Sequence, residues 1–146
     1  MDKFKTNIMT NNQLLRSFAG VILVNPEGEV LLKKEKKGWC LPGGDVALEE
    51  HPEEDVRREV YNELLYFPKV RFFGKYFWRG YEHYIFVSEF PLLDEKVFVK
   101  SRKKVQFLSE EELVKFPLTG NVRRVLKDFF KMWKKHSHVA LLRRSA

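Results

Sequence analysis

The chain has 146 residues, which fits one domain with a real core and is too short for two ordinary ones. At 44% hydrophobic and 32% charged it has the composition of a soluble globular protein, and no apolar run approaches the roughly 18 to 20 residues of a membrane-spanning helix. The formal charge of +7, from 27 Lys and Arg against 20 Asp and Glu, favours polyanionic ligands such as phosphates or nucleic acid without choosing among them.

The first thirteen residues hold no apolar stretch ahead of a small-residue cleavage site, so they do not read as a secretory signal and a cytoplasmic location is expected. Residues 18–24 (FAGVILV) and 29–34 (EVLLKK) are β-rich runs around Asn25-Pro26-Glu27-Gly28, whose Pro and Gly fit a type I turn; a hairpin is expected. A basic connection, 33–38, leads to the short apolar run Trp39-Cys40-Leu41, and Pro42-Gly43-Gly44 should open a loop. Cys40 is the only cysteine, so neither an internal disulfide nor a cysteine metal site is available, and it reads as strand filler.

Pro52 suits the first turn of a helix, and Glu53, Glu54 and Asp55 suit its positive end, which predicts a helix over 52–65 closed by Phe67-Pro68. Residues 70–79 and 82–90 read as paired strands joined near Arg79-Gly80-Tyr81, with shorter strands at 97–99 and 105–108. Ser109 followed by Glu112 is a capping-box pattern. Val122, Val125, Leu126, Phe129 and Trp133 then recur at helical spacing, opposite Arg123, Arg124, Lys127, Lys131 and Lys134. That basic face is expected to be solvated while the other docks on the core. The tail after Lys135 has no pattern, so residues 1–12 and 136–146 read as extensions of a single domain with a core at about 14–135.

On the acidic helix, Val56, Val60 and Leu64 form an apolar stripe beside a second stripe of Asp55, Glu59 and Glu63. Like charges four residues apart repel by a few tenths of a kcal/mol, so a cation should offset them. One reading is a solvated surface helix with Glu53–Arg57 and Glu54–Arg58 pairs. The other is a hard divalent cation on the carboxylate oxygens, shared with substrate phosphates. The order of the neighbouring parts favours the second: Gly43-Gly44, then Glu50, then Arg58-Glu59 and Glu63.

This series resembles the box of the Nudix hydrolase family, with Gly44, Glu50, Arg58, Glu59, Val60 and Glu63 at matching positions. Asn62 stands where the family has the first of two glutamates, Leu65 where it has glycine, and Tyr66 where it has an aliphatic residue. The resemblance takes in the early hairpin, Trp39-x-Leu41-Pro42-Gly43-Gly44 and the turn from Phe107 to Leu113. It implies an α+β fold, an α-β-α sandwich in which a mixed β-sheet is flanked by helices and carries a catalytic loop-helix-loop. The implied activity is Mg²⁺- or Mn²⁺-dependent cleavage of a diphosphate linkage in a nucleotide, nucleotide sugar, dinucleoside polyphosphate or RNA 5′ end.

By the same resemblance Glu59 and Glu63 are metal ligands joined by the Gly44 carbonyl, Arg58 holds Glu59, and Glu50 pairs with Arg58. Asn62 offers one carbonyl oxygen and no charge, a weaker ligand than glutamate. Many relatives carry a further glutamate before the late turn; here Lys100-Ser101-Arg102-Lys103-Lys104 stands there, a solvated loop or a cluster for a phosphate chain. Arg79 is a candidate phosphate or base contact, and Phe77, Trp78, Tyr81 and Tyr84 are candidate stacking partners. The general base stays open among Glu59, Glu63, Glu82, Glu89 and Asp94. The alternative function is a Nudix-fold module that binds a nucleotide or RNA end and hydrolyses it poorly or not at all. No membrane partner is expected, and the sequence carries no signal of oligomeric state.

Overall fold

The computed structural model describes residues 16–47, 50–92 and 105–145. In chain order these form β1 (Arg16–Ile22), β2 (Val30–Glu35), β3 (Gly38–Cys40), β4 (Gly43–Asp45), α1 (Pro52–Leu64), β5 (Val70–Trp78), β6 (Tyr81–Ser88), β7 (Val105–Leu108), α2 (Glu110–Leu113) and α3 (Val122–Ser145). The strands make a four-stranded sheet in the order β4-β1-β6-β5 and a three-stranded sheet in the order β3-β2-β7. The larger sheet is mixed: β1 runs parallel to β6, while β4 and β5 are antiparallel to their neighbours.

Alternation along β1 sorts the core into two layers. Ala19, Val21 and Leu23 share one buried cluster with Val56, Val60 and Leu64 of α1. Ile22 faces the other way, with Ile85 and Val87 of β6 and Val125, Leu126 and Phe129 of α3. A helix therefore covers each face of the sheet, the expected α-β-α arrangement.

Three local expectations need correction. The turn at Asn25–Gly28 forms, with the Gly28 N–H donating to the Asn25 carbonyl at 3.0 Å and the Asn25 side-chain oxygen accepting from the N–H groups of Glu27 and Glu29. Its arms, however, pair only near the turn, through Val24 and Val30 and a bond from the Leu31 N–H to the Leu23 carbonyl. Beyond it β1 enters one sheet and β2 the other, because both strands are apolar on both faces and are buried on both.

The loop expected at Gly43-Gly44 is instead strand β4, in register with β1 through Gly43↔Gly20 and Gly44↔Ala19. Gly43 has φ 145°, and a Cβ there would collide with the carbonyl of Ala19, so only glycine lets the chain lie this close to β1. Third, α3 runs on to Ser145, through the stretch in which no pattern was legible. The strand expected at 97–99 lies outside the described residues.

The hairpin of β5 and β6 and the capping box at Ser109 form as expected. A bulge between Phe72 and Gly74 interrupts the β5–β6 ladder. Arg79, in the turn between them, has φ 48°. Among the described residues no helix is long and apolar enough to cross a membrane.

Helix α1 ends one residue short of the expected Leu65, which adopts the left-handed conformation at φ 54° and donates its N–H to the Tyr61 carbonyl at 2.8 Å. A residue with a side chain is disfavoured in that region by about 1–2 kcal/mol, and Leu65 is 43% exposed, so its side chain recovers little through burial. Leu65→Gly is expected to stabilise the fold by about 1 kcal/mol after the greater freedom of glycine in the unfolded chain is subtracted. A higher urea midpoint with an unchanged m-value is the result that checks it.

Candidate active site

A cleft of about 680 Å³ opens where β2, β4 and α1 meet the β5–β6 turn and the start of α3. Glu59 and Glu63 reach it from α1, one turn apart and beside the apolar stripe that anchors the helix. Gly43 and Gly44 form its floor. A Cβ on Gly44 would lie 3.4 Å from Cδ of Glu59 and 3.6 Å from its Oε2, which places this carboxylate directly beside the β4 backbone.

Asp55 lies on the same stripe in sequence but does not reach the cleft. It is 1% exposed, accepts a hydrogen bond from the Ala47 N–H at 3.1 Å, and pairs with Arg58. The Arg58 guanidinium also donates to Glu50 at 2.7 Å, the contact expected from the sequence. Arg58 therefore ties α1 to the preceding loop through Glu50, and Asp55, on the helix itself, holds the same loop through the Ala47 N–H. It holds the exposed Glu50 carboxyl below the usual range, whereas burial pushes that of Asp55 up. The surface pairs considered for this helix are replaced: Arg58 turns to Glu50 and Asp55, and Arg57 donates to the Pro68 carbonyl at 2.8 Å and stacks on Phe67.

Lys33 is the residue that sequence reasoning missed. It is 5% exposed, and its ammonium donates to Glu63 at 2.9 Å and to the Gly43 carbonyl at 3.2 Å, with Glu35 at 3.5 Å. The available signal was alternation in β2, which puts position 33 on the same inward face as Leu31 rather than in a solvated basic connection.

Chemically, the corner suits a hard divalent cation. Two carboxylates and backbone carbonyls are oxygen donors, and a magnesium ion commonly takes one or two protein carboxylates and completes its shell with phosphate and water. The Lys33 ammonium is already seated on two of these oxygens, those of Glu63 and the Gly43 carbonyl. Asn62 is exposed and does not line the cleft, and among the described residues no three acidic, His or Cys side chains converge as a ready-made metal cage.

The far wall carries Trp78, Arg79, Tyr81 and His83. The Arg79 guanidinium lies 5.4 Å from the Trp78 ring. His83 lies between Phe18, at 5.3 Å, and Tyr81, at 6.2 Å, and burial lowers its pKa. Asn121 is 6% exposed and lines the cleft, yet its side-chain N–H₂ has no hydrogen-bond partner among the described residues. In sequence, an Asn just ahead of a helix reads only as a cap.

Other candidates point elsewhere. Glu82, one position out of phase with Tyr81 and His83, bonds Tyr84 and Lys75 on the opposite face of β6. Phe77 and Tyr84 also belong to that side, with Lys75 over both rings. Glu89 is exposed beyond the end of β6, away from the cleft lining. Cys40 lines the cleft from β3. Arg102, Lys103, Lys104 and Asp94 lie outside the described residues.

A family model described as the NUDIX domain matches residues 14–129. No curated protein matches the chain. Among solved structures, the MutT protein from Methanosarcina mazei Go1 superposes with a TM-score of 0.64 at 21% identity, covering 84% of this chain and 95% of that one. The MutT NUDIX hydrolase from Burkholderia pseudomallei gives 0.63 at 23% identity, covering 77% and 95%. The E. coli ORF135 protein gives 0.66 at 18% identity, covering 81% and 90%.

The brace around Arg58 separates a built helix from a solvated one. Asp55→Ala leaves the Ala47 N–H and Arg58 short of a partner and is expected to cost about 2 kcal/mol. Glu54→Ala, on the exposed face, should change stability by about 0.5 kcal/mol or less. Urea unfolding of the two variants side by side measures the contrast.

Proposed function

The chain belongs to the Nudix family, and on that premise we propose that it is a cytoplasmic, divalent-metal-dependent hydrolase that cleaves a diphosphate linkage in a nucleoside diphosphate derivative. The observation that carries the reading is the placing of Glu59 and Glu63 over Gly43-Gly44, in one cleft with a buried amide that lacks a partner.

Glu59 and Glu63 are the carboxylates that would hold Mg²⁺ or Mn²⁺, with the Gly44 carbonyl as a further oxygen. When bound, such an ion neutralises phosphoryl charge and makes water easier to deprotonate. The remaining work falls to the chain itself. Arg58, braced by Glu50 and Asp55, fixes the helix carrying Glu59 against its preceding loop. Of the acids considered as general base and described, only Glu59 and Glu63 face the cleft. Glu63 is paired with Lys33, so of the two Glu59 is the freer carboxylate.

Arg79 brings a cation to the rim for the phosphate chain, and Trp78, Tyr81 and His83 offer ring faces to a nucleobase. The N–H₂ of Asn121 would donate to a base carbonyl and so regain the hydrogen bond it lacks. Arg102, Lys103 and Lys104 extend the proposal to longer polyphosphates or an RNA 5′ end through their charge. A second reading, a module that binds without turnover, draws on the uncharged Asn62 and on the ammonium already held by Glu63.

Purified protein incubated with nucleoside triphosphates, nucleotide sugars, dinucleoside polyphosphates and 5′-triphosphate RNA, with Mg²⁺ or Mn²⁺, tests the two readings. Metal-dependent release of phosphate, pyrophosphate or a monophosphate supports the hydrolase, and binding without products supports the module. Glu59→Gln is expected to keep the fold and lower turnover about a hundredfold or more, the scale of a lost transition-state electrostatic contact. Asn121→Ala should weaken nucleotide binding about tenfold while the melting temperature stays near that of the parent, because the amide has no internal bond to lose.

A further inference from the structure

The proposed reaction gives Lys33 no task, yet the fold makes a large provision for it. β2 is the central strand of its sheet, with Lys33 in register with Cys40 on one side and Val105 on the other, so the backbone at this position is fixed from both edges. Leu31, two residues earlier on the same face, is 1% exposed and belongs to the core beneath α1. A lysine at the next inward position is taken out of water, which strongly disfavours a charge unless oxygen acceptors surround it. Three are supplied: Glu63, the Gly43 carbonyl and Glu35. The first two accept hydrogen bonds from the ammonium, and Glu35 adds an ion pair.

Two of these acceptors belong to the corner assigned to a divalent cation, and an oxygen pair already committed to an ammonium is a poor ligand for a second positive ion a few ångströms away. Asn62, one residue before Glu63, adds no carboxylate to offset this. We propose that the Lys33 ammonium is a built-in counter-cation that occupies Glu63 and the Gly43 carbonyl, so that the site takes a divalent ion on Glu59 and has weakened affinity for one on Glu63. Lys33 thus acts through Glu63, as a positioning residue that limits how much metal the cleft accepts. The inference rests on the metal reading above and narrows it.

Mn²⁺ binding, followed by the electron paramagnetic resonance of the free ion and by calorimetry, tests it without reference to turnover. Lys33→Met should tighten Mn²⁺ binding about tenfold or add a second equivalent, and Lys33→Arg, which keeps the charge, should resemble the parent. Glu63→Gln in the parent should change Mn²⁺ affinity by about twofold or less, whereas Glu59→Gln should abolish binding. In the Lys33→Met background, Glu63→Gln should remove the gain.

A Lys33→Met protein that binds no more tightly than the parent overturns the inference, as does a loss of about tenfold or more from Glu63→Gln alone. If Lys33→Met fails to fold, the isosteric Glu63→Gln variant decides the matter by the same criterion. Binding by neither parent nor variants removes the metal reading and this inference together. Equal binding by parent and Lys33→Met removes this inference alone.

Discussion

The close approach of β4 to β1 is the constraint on which the rest of the site depends. Gly43 lies in register with Gly20 where a side chain would strike the Ala19 carbonyl, and Gly44 then meets the side of Glu59. The first contact lets β4 join β1, and the second brings the β4 backbone beside the Glu59 side chain of α1. Because Val56, Val60 and Leu64 fix the rotation of that helix against β1, Glu59 and Glu63 have little choice but to face the cleft.

Charge balance follows from the same packing. A helix with acids at 55, 59 and 63 in a chain of net charge +7 is neutralised piece by piece rather than by a general basic field. Asp55 is buried and answered by Arg58 and the Ala47 N–H, Glu63 is answered by Lys33, and Glu59 has no hydrogen bond or ion pair among the described residues. The stripe is one feature in sequence and three environments in space.

What was legible in the sequence was what short-range chemistry decides. Pro52 and the acids behind it mark the start of α1, alternation marks β5 and β6, and Ser109 with Glu112 marks the cap of α2, because each depends on residues within a few positions. The spacing of Gly44, Glu50, Arg58 and Glu59 brought the family and the layered fold with it. Lys33, Asn121 and the true direction of Glu82 were not legible, since each depends on which strand or helix comes to lie opposite. Lys33 sits in a run of basic residues that looks solvated until α1 and β4 close over it. The parting of β1 and β2 into separate sheets was hidden for a similar reason: a turn fixes where the chain reverses, and the layers above and below decide how long the two arms stay together.

The bulge in β5 bears on how these molecules behave in company. Among the described residues β5 is the outermost strand beside β6, and it exposes Phe72 and Phe77, the combination of free edge and apolar side chains that invites a second chain to add on. The irregularity at Phe72–Gly74 bends the strand and breaks the even spacing a visiting strand needs, and the exposed charges of Arg71 and Lys75 flank the break. A ladder regular enough for β6 to follow on one side is thereby a poor template on the other, which guards the crowded protein against sheet-to-sheet association.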